Sequence, residues 1–195
     1  GEVIGFWNVA TRNNQRYLIG SGTRIGHRGR GLASRLGMAA IRAAENAGSE
    51  SFWLEVIEGN ESAERLYRKL GFEVTRKLDC YRLDHPSPDP SKCERSDFGT
   101  VANAIQTNST WKPTWQNATE TISGSPLTCF LHEKGGAIVG AGGLVHQIAA
   151  SDPSALADLL AATATVGSLT LVNVESADSV LCSLLQELGA DRFIA

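Results

Sequence analysis

Three prolines at alternate positions, in His85-Pro86-Ser87-Pro88-Asp89-Pro90-Ser91, divide this chain of 195 residues. Proline lacks the amide proton that a helix interior or a central strand needs, and its ring clashes with the preceding turn. No regular element can cross such a segment. The chain is therefore expected to form two modules, residues 1–84 and 95–195, joined by an extended linker over 85–94. The charge follows the same division: residues 1–84 carry 13 Lys and Arg against 10 Asp and Glu, and residues 85–195 carry 5 against 11. A mildly basic first half suits a small polyanionic ligand but lacks the basic clusters a nucleic acid requires. No apolar run approaches the roughly 20 residues of a membrane span. The four cysteines, Cys80, Cys93, Cys129 and Cys182, are scattered and form no CxxC pair. Reduced thiols in a cytoplasmic protein, with no metal and no membrane partner, are the expectation. The chain opens at Gly1 already reading as a strand, so a removed N-terminal portion is also expected.

The first half alternates strand and helix. Val3 to Val9 is apolar and β-rich, Asn13-Asn14 signals a turn, and Tyr17 to Ile25 reads as a second strand. After a glycine-rich loop, Leu32, Leu36, Ala39, Ala40, Ala43 and Ala47 recur at helical spacing until Gly48. Phe52 to Ile57 reads as a strand covered on both faces. Asn60 is a good N-cap for a helix whose inner stripe is Ala63, Leu66, Tyr67 and Leu70, and Phe72 to Leu83 returns as strand. In the second half, Asp97 to Gln106 suggests a helix and Trp111 to Ser125 is irregular. Cys129 to His132 and Ala137 to Val145 suggest a hairpin. Ser151-Asp152-Pro153 opens a helix, followed by a strand over 168–174 and a helix ending at Leu188-Gly189.

The residues that carry chemistry lie at Arg28-Gly29-Arg30-Gly31-Leu32-Ala33, between strand and helix. Glycines let the backbone turn tightly and approach a ligand without a Cβ in the way. The first amides of the next helix lack internal partners and carry the positive end of its dipole, a socket for a pyrophosphate. Arg28, Arg30 and Arg35 add positive charge. Taken alone, such a loop is equally a tight turn with solvated arginines. No Gly-Lys-Ser/Thr follows it, which excludes a P-loop nucleotide site.

The loop fits Q/R-x-x-G-x-G/A. Downstream of it, Leu54-Glu55-Val56 leads to Asn60, Ala63 and Leu66-Tyr67-Arg68-Lys69-Leu70-Gly71-Phe72. In these two motifs and their order, residues 1–84 resemble the GNAT superfamily of N-acetyltransferases. The resemblance implies an α+β fold with α/β-type layers, a mixed, mainly antiparallel sheet flanked by helices. It implies acetyl-CoA as acyl donor and a primary amine of a small molecule, protein or peptide as acceptor. The backbone of Ser21, Gly22 and Thr23 would pair with the pantetheine arm. Arg28 and the stretch Gly29, Arg30, Gly31, Leu32, Ala33 and Ser34 would hold the pyrophosphate. Asn60 would contact the arm, a role compatible with capping its helix. Tyr67 would protonate the departing thiolate, and Glu55 would be the general base, with Glu58 as a nearby substitute.

The family's first strand and helices have no counterpart before Gly1, so a non-catalytic CoA-binding or scaffold protein is the alternative. A homodimer is compatible with either. The second half reads as a degenerate copy of the first. Leu66 to Gly71 aligns with Leu184 to Gly189, and 54–56 with 172–174, at an offset of 118. Gly1 to Gly5 aligns with Gly136 to Gly140 at 135. The 118 offset puts Asn173, Asp178 and Leu185 at the places of Glu55, Asn60 and Tyr67, and no glycine loop survives. The second module is expected not to bind CoA, and to pack against or cap the first.

Overall fold

The structure, a computed structural model, describes residues 1–84 and 91–194. The prolines of the expected linker lie outside the described residues. The chain divides into two units, Gly1–Thr75 and Arg76–Ala195.

In the first unit, β1 (Gly5–Arg12) and β2 (Gln15–Thr23) form an antiparallel hairpin. Its turn places Asn13 at φ +51°, a conformation that Asn accepts more readily than most side chains. A short 3-10 turn over Ile25–His27 and the glycine loop lead into α1 (Leu32–Asn46). The strand β3 (Ser51–Trp53) and the helix α2 (Glu61–Lys69) follow. The sheet order is β1-β2-β3, with β3 parallel to β2. The strand expected over 52–57 stops at Trp53 because its partner leaves it: the parallel pairing consists of Gln15 with Ser51, Arg16 with Phe52 and Tyr17 with Trp53. At Gly37, helix α1 faces the Trp7 ring of the hairpin and the Leu70 side chain. A Cβ there would lie 2.5 Å from Leu70 Cδ1 and 2.7 Å from the Trp7 ring, so the glycine is what admits the two side chains.

The second unit contains β4 (Leu78–Leu83), β5 (Glu94–Arg95), α3 (Phe98–Asn108), a single helical turn α4 (Thr119–Ile122), β6 (Thr128–His132) and β7 (Gly135–Val139). It continues with β8 (Leu144–Ala150), α5 (Pro153–Thr163), β9 (Leu169–Glu175), α6 (Ser179–Glu187) and β10 (Asp191–Phe193). Seven strands form one sheet in the order β10-β4-β9-β8-β7-β6-β5, antiparallel except between β8 and β9. One face packs Leu156, Leu159 and Leu160 of α5 and Leu185 of α6 on Tyr81, Leu169 and Leu171. The other packs Val101 and Ile105 of α3 and Ile122 of α4 on Cys129, Ile138 and Ala149. The protein is thus a mixed fold of mainly antiparallel sheets flanked by helices.

Several expectations change. The strand 78–83, read from sequence as closing the first module, lies between β9 and β10, and the division falls after Thr75. Glu94, assigned to the linker, already pairs with Leu131. The strand expected over 137–145 is two strands, β7 and β8. Between them Gly142 and Gly143 stand at φ +67° and +76°, backbone conformations that terminate a strand. That break also removes the match at offset 135, since Gly5 opens β1 whereas Gly140 follows the end of β7. The four cysteines are unpaired. Among the described residues no helix is long and apolar enough to cross a membrane.

Candidate active site

β2 is the backbone of the site. Asn8 pairs with Gly20 and Val9 with Leu18, which leaves Ile19 as one extra residue, a β-bulge. A bulge bends its strand and re-aims the groups beyond it. The ladder to β3 ends at Tyr17, while β2 continues on β1 as far as Thr23. The edge of β2 from the bulge to Thr23 therefore diverges from β3 with its peptide groups unpaired to that strand. Ser21, Gly22 and Thr23 lie on this divergent edge.

At the end of β2 the chain turns into α1. The His27 and Arg28 amides are used within the 3-10 turn, donating to Arg24 O (2.8 Å) and Ile25 O (3.2 Å). Arg28 also donates from Nε to Thr23 O at 3.1 Å, tying the loop to the strand it leaves. Gly29 and Gly31 have φ +74° and +71°, which is the physical reason both are glycine. Gly31 caps α1, no side chain caps the helix, and the first backbone return is Arg35 N to Gly31 O at 3.0 Å. Among the described residues, the amides of Gly29, Arg30, Gly31, Leu32, Ala33 and Ser34 donate to no other backbone group. These six donors lie at or just before the N-terminus of α1, and Arg28, Arg30 and Arg35 in the same stretch are exposed, a combination whose chemistry suits an anion.

Tyr67, on α2, comes to the divergent edge: its hydroxyl is 3.3 Å from Ser21 Oγ. Edge-to-face ring contacts fix it, with Trp7 at 6.0 Å and Phe72 at 6.1 Å, and Phe72 rests in turn on Phe52 at 5.5 Å. Asn60 does cap α2, its Oδ1 accepting from Ala63 N at 3.2 Å. Glu55 is half-buried two residues beyond β3, and Glu58 is exposed. The structure thus brings Ser21, Thr23, Arg28 and Tyr67 together along one strand edge and its loop. Sequence reading missed the bulge at Ile19 and the Trp7–Tyr67–Phe72–Phe52 ring set. It also missed Gly37, although a lone glycine inside a helical pattern was a visible signal. A cavity of about 300 Å³ between α1 and the hairpin is lined by Val9, Thr11, Arg16, Ala40, Ala43 and Ala44. It shares no residue with the loop or Tyr67, and small side chains on α1 account for it. Among the described residues no group of His, Cys, Asp or Glu could hold a metal ion.

Residues 1–72 match the model of the acetyltransferase (GNAT) family. No curated protein matches the sequence. Among solved structures, a proposed acetyltransferase from Pyrococcus horikoshii has a TM-score of 0.69 at 12% identity, over 98% of this chain and 66% of that one. A GCN5-related N-acetyltransferase from Sphaerobacter thermophilus has a TM-score of 0.68 at 15% identity, over 100% and 75%. Eis1 from Mycobacterium abscessus has a TM-score of 0.54 at 17% identity, over 92% and 56%. The chain therefore spans between about half and three quarters of the lengths of these neighbours. Its fold is that of the GNAT acetyltransferases.

Proposed function

We propose that the protein transfers an acetyl group from acetyl-CoA to a primary amine of a small molecule, protein or peptide, with the donor held by the first unit. One observation carries this reading: the unpaired edge of β2 runs directly into six unpaired amides at the start of α1, and a tyrosine hydroxyl stands over that edge. An extended amide-bearing arm can add to such an edge as a strand would. A diphosphate fits the socket at its end. When bound, acetyl-CoA supplies a thioester carbonyl open to attack. Glu55 takes the proton that an ammonium acceptor must lose. A backbone N–H of the Ser21–Thr23 edge holds the developing oxyanion, and the Tyr67 hydroxyl donates the proton the departing sulphur needs. Asn60 Oδ1 is committed to its cap, which leaves the amide NH₂ for the arm. The free thiols support a reducing, cytoplasmic setting.

The second unit belongs to the same reading as a degenerate copy. At offset 118 the two final helices start and stop alike. Asn60 and Asp178 are N-caps at φ/ψ −81°/65° and −75°/78°, each accepting from the amide three residues on. Gly71 and Gly189 follow the C-caps at φ +93° and +77°. The test is thiol release from acetyl-CoA against a panel of amines, comparing the native protein with Tyr67→Phe. Turnover that falls about 10²-fold in the variant, with donor binding retained, is expected. Donor binding without acylation of any amine would favour a non-catalytic scaffold.

A further inference from the structure

In the second unit, β8 and β9 run parallel as β2 and β3 do, and they also part early. Only Leu144 with Thr170 and Val145 with Leu171 are paired. Immediately beyond the last pair, the gap is spanned by a segment of the unit's own chain. Asn117, 4% exposed, donates from Nδ2 to Val172 O on β9 at 3.0 Å, and its Oδ1 meets His146 Nδ1 on β8 at 3.1 Å. Because the Nδ2 is spent on a carbonyl, Oδ1 is the acceptor and His146 carries its proton on Nδ1. The Asn117 carbonyl accepts from Gln147 Nε2 at 2.6 Å, and buried Thr114 accepts from Asn173 Nδ2 at 3.3 Å. Asn117 thus presents one amide to both strands, donating to one and accepting from the other, as a peptide-like ligand between diverging strands would.

The helix that follows β8 tells the same story independently. Pro153 has no N–H, Asp152 Oδ1 takes the Ala155 amide at 2.9 Å, and Lys134 pairs with Asp152 at 2.9 Å. Where α1 offers bare donors, α5 begins with a carboxylate that repels a phosphate.

We infer that the segment Thr114–Ala118 is a built-in occupant of the second unit's acyl-donor cleft, with Asn117 in place of the ligand's amide, so that one chain holds one coenzyme A. The inference rests on the reading of the second unit as a copy of the first. It turns a ligand site into part of a core: the polar edges that a cofactor would satisfy are satisfied by the fold itself.

The experiment uses the full chain and coenzyme A. Calorimetric titration should give one equivalent, and charge reversal at Arg28, Arg30 and Arg35 should remove it with no second site left. Asn117→Ala should lower the Tm by about 5 °C or more, since it strands buried partners on both strands. Acetamide should recover part of that loss and do nothing to the native protein, while coenzyme A affinity stays within twofold. Two equivalents on the native protein would overturn the inference, whereas a second equivalent that appears only when Asn117 is truncated would support it. Proton exchange of the Asn117 side-chain amide, read by NMR on the native protein, gives a measure independent of any variant. Slow exchange, unchanged by coenzyme A, supports the fixed occupant, and fast exchange refutes it. A native protein that binds no coenzyme A sinks the proposed function of the first unit, and the exchange result still decides the plug.

Discussion

Gly37→Ala is a test of how the first unit holds its tyrosine. Two effects oppose each other. In an open helix position the change would stabilise by about 1 kcal/mol, because alanine loses less conformational freedom than glycine. Here the new methyl would stand 2.5 Å from Leu70 Cδ1 and 2.7 and 2.8 Å from two atoms of the Trp7 ring. Leu70 can yield by a rotamer change. Trp7 cannot do so cheaply, since it is a rigid ring braced edge-on against Tyr67. Overpacking of this kind costs roughly 1–3 kcal/mol. The net is a loss of about 1 kcal/mol, which for a unit of this size lowers the Tm by about 4–8 °C. The displacement passes through Trp7 to Tyr67, the proposed proton donor, and a shift of about 1 Å at a group in that role can cost on the order of 10²-fold in rate. Turnover in the thiol-release assay should therefore fall by more than the stability loss explains, with donor affinity nearly unchanged. Trp7→Phe introduced beside Gly37→Ala should restore part of the stability, and Leu70→Ala should restore less. A Gly37→Ala protein that melts higher than the native one and turns over at full rate would refute the packing argument.

Two further outcomes concern the second unit. Gly143→Ala should prevent its folding, because the Cβ would overlap the Ser168 carbonyl oxygen, a backbone atom, at a residue already at φ +76°. Gly142→Ala, at φ +67° but facing open space, should cost only about 1–2 kcal/mol in urea unfolding, and equal effects at the two positions would show the contact to be unimportant. Burial holds the His146 pKa below the ordinary imidazole value, so the folded protein binds this proton less readily than the unfolded chain does. The unfolded chain then binds the extra proton, and stability rises with pH: the contribution is complete above about pH 6.5 and is lost as pH falls below it. Asp97 and Asp152 are held below the usual carboxylate range, Asp97 chiefly by the Thr100 hydroxyl and Asp152 by the Ala155 amide. Their contribution is lost only nearer pH 4, in a separate window. Melting temperatures from pH 8 to 5 should bend near 6.5 in the native protein and run flat there in His146→Gln. An unchanged bend in that variant would assign it to another group.

What the sequence makes legible follows from what local chemistry encodes. Gly29 and Gly31 are glycine because of their own φ angles, Asn60 caps by its own side chain, and α1 repeats its apolar stripe every turn. Each of these is decided within a few residues, and each is found where it was expected. The edge that gives the first unit its proposed chemistry is decided by long-range pairing. Phe52 to Ile57 carries a strand pattern throughout, yet β3 ends at Trp53 because β2 bends away at Ile19, 34 residues earlier in the chain. Leu78–Leu83 alternates as well as any strand, and nothing in its six residues says that its partners are β9 and β10 rather than β3. The same limit hides the plug. Asn117 sits in a stretch without periodicity, where sequence reading gives only irregular chain, and its importance comes from two strands that part on either side of it. A polar residue in an aperiodic stretch, buried to 4% and bonded to strands on both sides, is a place where tertiary pairing rather than local propensity has set the residue type.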